Sequence, residues 1–202
     1  MKYINWGLNQ PRILNRLEAM GYKIFTQKEF DLNIIGLRSP IRRPGLFDDE
    51  IRVCYKDGFD WIEERYRATT DPSIEQHRDP NNPKGVAVLK PGQYRGAYCI
   101  DKHQGKYYAL CQRGAEVTVY RDNNRDEHTD YINEESGYFG INLHRAHSSK
   151  IVYSTRYYSH GCQVIQNPAD FARLMGLEQL QVGIGYKSFT YTRIEATDED
   201  LE

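Results

Sequence analysis

The sequence predicts an α+β fold, mainly β, with two helices packed on sheet. Three features of the 202-residue chain carry that prediction. Two segments, near residues 11–20 and 168–176, place apolar residues at helical spacing behind capping signals. Most other apolar residues fall in short runs rich in Val, Ile, Tyr and Phe. Gly, Pro, Asn and Asp separate those runs, as turns require.

The first helix has Asn9 as its N-cap and Pro11 in its first turn. Ile13, Leu14, Leu17 and Met20 share one face, and Gly21 stops it. Strands are expected over 31–37, 50–55 and 59–68, the last two joined by a Lys56-Asp57-Gly58 turn. Residues 69–84 carry three prolines and read as a loop. Further strands are expected over 85–89, 94–100, 107–112, 116–120, 138–144, 151–154 and 181–191, with the charged stretch 121–136 as a second loop. The late helix has Asn167 as its cap, Pro168 at its first position and Asp170 three residues after the cap. Phe171, Leu174 and Met175 form its apolar face, and Gly176 is its expected end. The 69–84 loop divides the chain into an N-terminal helix-and-strand extension, 1–80, with no role that the residues assign, and a domain over 81–202 that holds the chemistry.

Composition narrows the function classes. The 39% hydrophobic content is that of a globular chain able to bury a core without disulfides. Basic and acidic residues balance at 27 and 28, so no global field attracts nucleic acid. No apolar run is long enough to span a bilayer, and the opening MKYINWGLNQPRIL has no secretory core. Synthesis in the cytoplasm is therefore expected. Cys54, Cys99, Cys111 and Cys162 lie far apart with no CxxC pair, which predicts free thiols. No cofactor is expected, and nothing fixes an oligomeric state.

Cys162 differs from the other three in its company. Three of the six histidines, His144, His147 and His160, fall within 17 residues and flank it in INLHRAHSSKIVYSTRYYSHGCQVIQNPADF. A thiol attacks as thiolate, and an adjacent imidazole removes its proton. Gly161 lets the chain turn sharply before the cysteine, and N–H groups at such a turn are candidate oxyanion donors. A histidine at a strand end, a loop and then His-Gly-Cys make a layout for a cysteine nucleophile.

This segment resembles the catalytic motif of the L,D-transpeptidases, bacterial cysteine enzymes that act on peptidoglycan stem peptides. Their pattern is a strand-borne histidine, about fifteen residues, then Ser/Thr-His-Gly-Cys; here 14 residues separate His144 from Ser159-His160-Gly161-Cys162. Asn167-Pro168-Ala169-Asp170 matches the helix opening that often follows, and GVAVLKPGQY, ending at Tyr94, is faintly similar to the family's upstream hairpin. The resemblance implies a β-sandwich with a late helix over 81–202, Cys162 as nucleophile and His144 as its base. It implies the Arg145 carbonyl as the third member, with His160 and Gly161 beside them. Ser159, Gln163, Tyr94 and Asn142 are the expected substrate-binding residues. Where the family has an apolar residue and then Arg or Asn after its cysteine, this chain has Gln163-Val164. The implied partner is peptidoglycan or its stem peptides, met at the wall after release or as part of a virion. A divergent, phage-encoded, endolysin-like protein would fit, with hydrolysis favoured over cross-linking.

Two other readings stay open. A catalytically silent relative could bind the wall or serve in a virion. A zinc-stabilised domain could use His144, His147, His160 and Cys162, although residues three apart on a strand face opposite sides. The tyrosines Tyr138, Tyr157 and Tyr158 could stack on sugar, and His103-Gln104 and Gln112-Arg113 could line the same groove.

Overall fold

The computed structural model describes residues 1–41 and 45–201. Twelve strands and three α-helices are present among them, which is the mainly-β α+β composition expected. In chain order these are β1 (Lys2–Gly7), α1 (Arg12–Ala19), β2 (Asn33–Arg38), β3 (Asp49–Asp57), β4 (Asp60–Thr69) and α2 (Ile74–Arg78). Then follow β5 (Val86–Leu89), β6 (Gly92–His103), β7 (Tyr107–Gln112), β8 (Val117–Asp122) and β9 (Glu134–Gly137). The chain ends with β10 (Leu143–Arg145), β11 (Gln163–Ile165), α3 (Pro168–Gly183), β12 (Phe189–Glu195) and a short 3-10 turn, Asp198–Leu201.

The main sheet closes on itself as a barrel, in place of the two-sheet sandwich expected. Its ring order is β4-β11-β10-β7-β6-β12-β2-β3, and β3 returns to β4. Closure depends on β4. One edge of it pairs with β3 over its length, while Ala68 and Thr69 on the other edge pair with β11 and the rest of that edge takes β1. Alternation along a strand shows which face is buried and not whether the last strand meets the first, so sandwich and barrel read alike in sequence. The segment 1–80 supplies β2, β3 and β4, three of the eight ring strands. β5, β8 and β9 form a separate small sheet.

Packing follows from strands that are apolar on both faces. In β2, Ile34 joins the interior cluster with Ile51, Val53, Tyr66 and Tyr191, while Ile35 and Leu37 join an outer cluster with Ile13, Leu14 and Leu17 of α1. Burying three such side chains stabilises α1's docking by roughly 1.5–3 kcal/mol each before the entropy cost. α3 reaches residues on opposite sides of the ring: Arg173 binds Glu64, Gln181 accepts from the Leu32 N–H, and Phe171 meets the Tyr107 ring. It therefore lies across one end of the barrel.

Several elements depart from expectation. α1 is capped at Pro11, not Asn9, whose N–H is taken by the Trp6 carbonyl in a turn, and Met20 is exposed. α3 does not stop at Gly176. It continues to Gly183 because Leu177, Glu178 and Gln181 are buried on the same face, which outweighs the ~1 kcal/mol penalty of a mid-helix glycine. The strand expected over 181–191 is consequently confined to β12. Residues 151–154 are not strand, and of 138–144 only the last two are, in β10. The first loop contains α2, the second holds the end of β8 and most of β9, and β1 and β11 are strands that the sequence pattern does not mark. The Asp57–Asp60 hairpin forms as expected, and all four cysteines are free. No helix is long and apolar enough to cross a membrane among the described residues.

Candidate active site

β10 and β11 run parallel, with Leu143 opposite Gln163 and His144 opposite Val164. Leu143 belongs to the interior cluster, so the neighbouring positions Asn142, His144 and Cys162 face the outside of the barrel. There they line a cleft of about 780 Å³ with residues of β6, β7 and the β5 segment. Gly161 shows why the motif needs glycine at this point. Its φ is +116°, and a Cβ would collide with the Ala87 carbonyl oxygen. The turn thus delivers Cys162 to the cleft by passing directly against β5.

His144 is oriented by its own neighbour. Its Nδ1 lies 2.8 Å from the Arg145 carbonyl oxygen. A carbonyl can only accept, so Nδ1 carries the proton and Nε2 is left as the free base. The Tyr107 hydroxyl donates to the same carbonyl at 3.3 Å, and its ring carries the Arg145 guanidinium 4.1 Å above it. Burial, with the adjacent His103 ring, pushes His144 down to about 3.

The Cys162 thiol donates to the Gly140 carbonyl at 3.4 Å, and no hydrogen bond joins it to His144. Burial pushes this thiol up to about 11, against the Asn142 N–H, which favours the thiolate. Both groups are therefore neutral at rest. The Cys162 N–H has no acceptor among the described residues and is available for a developing oxyanion.

The remaining expected residues separate. His160 lines the cleft, with Nδ1 3.0 Å from the Asn81 amide. Asn142 lines it too, donating to His103 Nδ1 at 3.0 Å and accepting from the Gln112 N–H at 2.9 Å. Ser159 does not face the cleft. It is fully buried, with Oγ 2.7 Å from the Asp71 carbonyl and 2.8 Å from that of Cys162, so it ties the turn to the end of β4. Gln163 points into the barrel, where the Tyr191 hydroxyl donates to it at 2.8 Å. Tyr94 lies off the cleft, its hydroxyl bound to the Lys90 and Thr118 carbonyls. Tyr138, Tyr157 and Tyr158 line the cleft, as do His103, Gln104 and Arg113.

Tyr107 is the site residue that the sequence did not reveal, and His103, expected only as a groove residue, proves to pack on the base. Tyr107 carries no local signal; only the β6–β7 pairing, which sets His103 opposite Tyr107, brings both to His144. His147 is turned away and accepts from the Ser149 and Lys150 N–H groups. Among the described residues no three His, Cys, Asp or Glu side chains converge as metal ligands do. Compared with protein-family models, curated proteins and solved structures, the chain matches none.

Proposed function

We propose that this chain is a cysteine-nucleophile acyl-transfer enzyme acting on peptidoglycan stem peptides, with water as the preferred acceptor. The observation that carries this reading is His144, locked by the Arg145 carbonyl with Nε2 unprotonated, in the same cleft as Cys162. The reading rests on the site, not the fold, whose closed ring differs from the sandwich that an L,D-transpeptidase would have.

In this mechanism a substrate carbonyl displaces the thiol from Gly140. Nε2 of His144 takes the Sγ proton as Sγ bonds to the carbonyl carbon, and the Cys162 N–H holds the oxyanion. The opposed shifts of the two groups keep the proton on sulfur until attack, so proton transfer and C–S bond formation are coupled. The tetrahedral adduct collapses as His144 returns the proton to the departing amine, leaving a thioester. His144 then deprotonates a water, which attacks the thioester and restores the thiol. Exposed Tyr138 and Tyr157 flank the cleft without covering it, and this favours water over a sheltered amine acceptor. The site of action would be the wall, after release or from a virion.

Defined disaccharide-peptides incubated with excess free D-amino acid test the reading by mass spectrometry. Shortened products that vanish in Cys162→Ala are expected. Dominant exchange products would make the enzyme a transpeptidase. The thiol's bond to Gly140 favours a second reading, a silent cleft that binds the same peptides, and absence of both products in a folded protein whose Cys162 those peptides still protect from alkylation would support it.

A further inference from the structure

We infer that the Cys162 cleft selects a ligand with a free carboxylate, captured by Arg145 and Lys106; this rests on the peptide-binding reading of the same cleft. The chain as a whole carries a net charge of -1, yet among the described residues no Asp or Glu lines the cleft, while Lys106, Arg113, Arg121 and Arg145 all do. Two of these cations are already matched. Arg121 pairs with Glu135 at 2.7 Å and Arg113 with Asp101 at 3.4 Å. The other two have no carboxylate partner among the described residues. Among the described residues the Lys106 ammonium meets only the Gln104 amide oxygen, at 3.2 Å, and the Arg145 guanidinium carbon sits 4.1 Å from the Tyr107 ring centroid.

A guanidinium held over a ring by its charge keeps its N–H donors for a two-point grip on a carboxylate. Its base is also fixed, because the Arg145 carbonyl is held by both His144 and Tyr107.

The test compares site-resolved alkylation of Cys162 by iodoacetate and by iodoacetamide, using N-acetylcysteine as the reference thiol. A cationic cleft concentrates the anionic reagent, so the iodoacetate-to-iodoacetamide ratio should exceed the reference by about threefold or more at low salt and fall as salt rises. The ratio should drop toward the reference in Arg145→Gln/Lys106→Gln. A ratio equal to the reference at low salt, with no salt dependence, overturns the proposal without reliance on any variant. As a second arm, a stem peptide with free carboxylates should protect Cys162 from iodoacetamide at least about tenfold better than its fully amidated form. Equal protection also overturns it. Neither readout needs turnover: charge selection without cleavage defeats only the enzymatic reading, and cleavage that ignores amidation defeats only this one.

Discussion

His103 stacks on His144 with ring centroids 4.1 Å apart and planes inclined by 22°. The Asn142 amide donates to His103 Nδ1, so the outer ring is fixed as firmly as the inner one. The stack shields His144 from water and places a second potential cation against it. Burial is the larger cause of its low basicity and His103 the next. His103→Phe should therefore raise the His144 midpoint slightly, since a ring still covers it, whereas His103→Ala should raise it more by admitting water. NMR titration of the imidazole protons measures both; an equal rise in the two variants would make charge, not burial, the dominant cause.

The thiol is expected to rest protonated and to be alkylated only through its small thiolate fraction. With Cys162 pushed up to about 11, its alkylation rate by iodoacetamide should climb about tenfold per pH unit through the range 8–10, without a plateau near neutrality. Stopped-time mass spectrometry of the Cys162 peptide follows this. A plateau below pH 7 would mean a standing thiolate–imidazolium pair, incompatible with a neutral His144 and a thiol bound to Gly140.

What was legible in the sequence was local. His144, His160, Gly161 and Cys162 lie in one contiguous segment, and α3's cap is spelled out by Asn167-Pro168, whose asparagine accepts from Ala169. What was illegible depends on distant pairing. His103 and Tyr107 reach the site only through the sheet, and a substrate role for Gln163 could not be judged without knowing which face of β11 looks inward. The expected strand over 138–144 fails for a specific reason: the Phe139 and Gly140 N–H groups donate to the Gln112 side chain, at 3.0 and 2.9 Å, instead of to a neighbouring strand. β1 is hard to read because it is short and none of its residues is fully buried, so the alternation of Ile4 and Trp6 against Tyr3 and Asn5 is too brief to mark a strand.

Stability should fall on both sides of mildly acidic pH, for opposite reasons. His77, His103 and His144 are all held below the ordinary imidazole value by burial, so below about pH 6.5 the unfolded chain binds more protons and the folded state loses stability as pH drops. Glu178 is fully buried with neither carboxylate oxygen partnered among the described residues, and burial holds its carboxyl well above the usual range. The folded state keeps that proton while the unfolded chain releases it above about pH 4.5, so stability falls as pH rises past that value. Glu178→Met should raise stability near pH 7 by about 1–3 kcal/mol, with a smaller gain at pH 4. Urea denaturation at the two pH values compares them; an equal gain at both would remove ionisation as the cause.

Gly161→Ala should separate the turn's geometry from its chemistry. The new Cβ sits at positive φ and overlaps the Ala87 carbonyl, with Ile141 Cδ1 only 3.1 Å away. Strain of this kind costs about 1–3 kcal/mol, and the overlap adds to it. Cys162→Ala, at a half-buried cleft position, should cost about 1 kcal/mol or less. Thermal unfolding of both variants checks the order, and a more costly Cys162→Ala would assign the cysteine a structural role.

Gln163 provides the sharpest contrast between the position a motif suggests and the position a fold assigns. It directly follows the nucleophile, yet its side chain is inside the barrel, accepting from Tyr191 and donating to the Gly161 carbonyl at 3.3 Å. Tyr191 reaches it by filling the space over Gly36, where any Cβ would overlap the phenol oxygen. Gln163→Leu keeps the volume but leaves the buried Tyr191 hydroxyl and the Gly161 carbonyl without their partner, at a cost of about 1–3 kcal/mol. It should therefore lower the denaturation midpoint while leaving the Cys162 iodoacetate-to-iodoacetamide ratio unchanged, since the cleft's charges are untouched. A residue that contacted ligand would show the reverse: little loss of stability and a clear loss of peptide protection at Cys162. Measuring unfolding and peptide protection on the same variant distinguishes the two, and the inward hydrogen bonds predict the first.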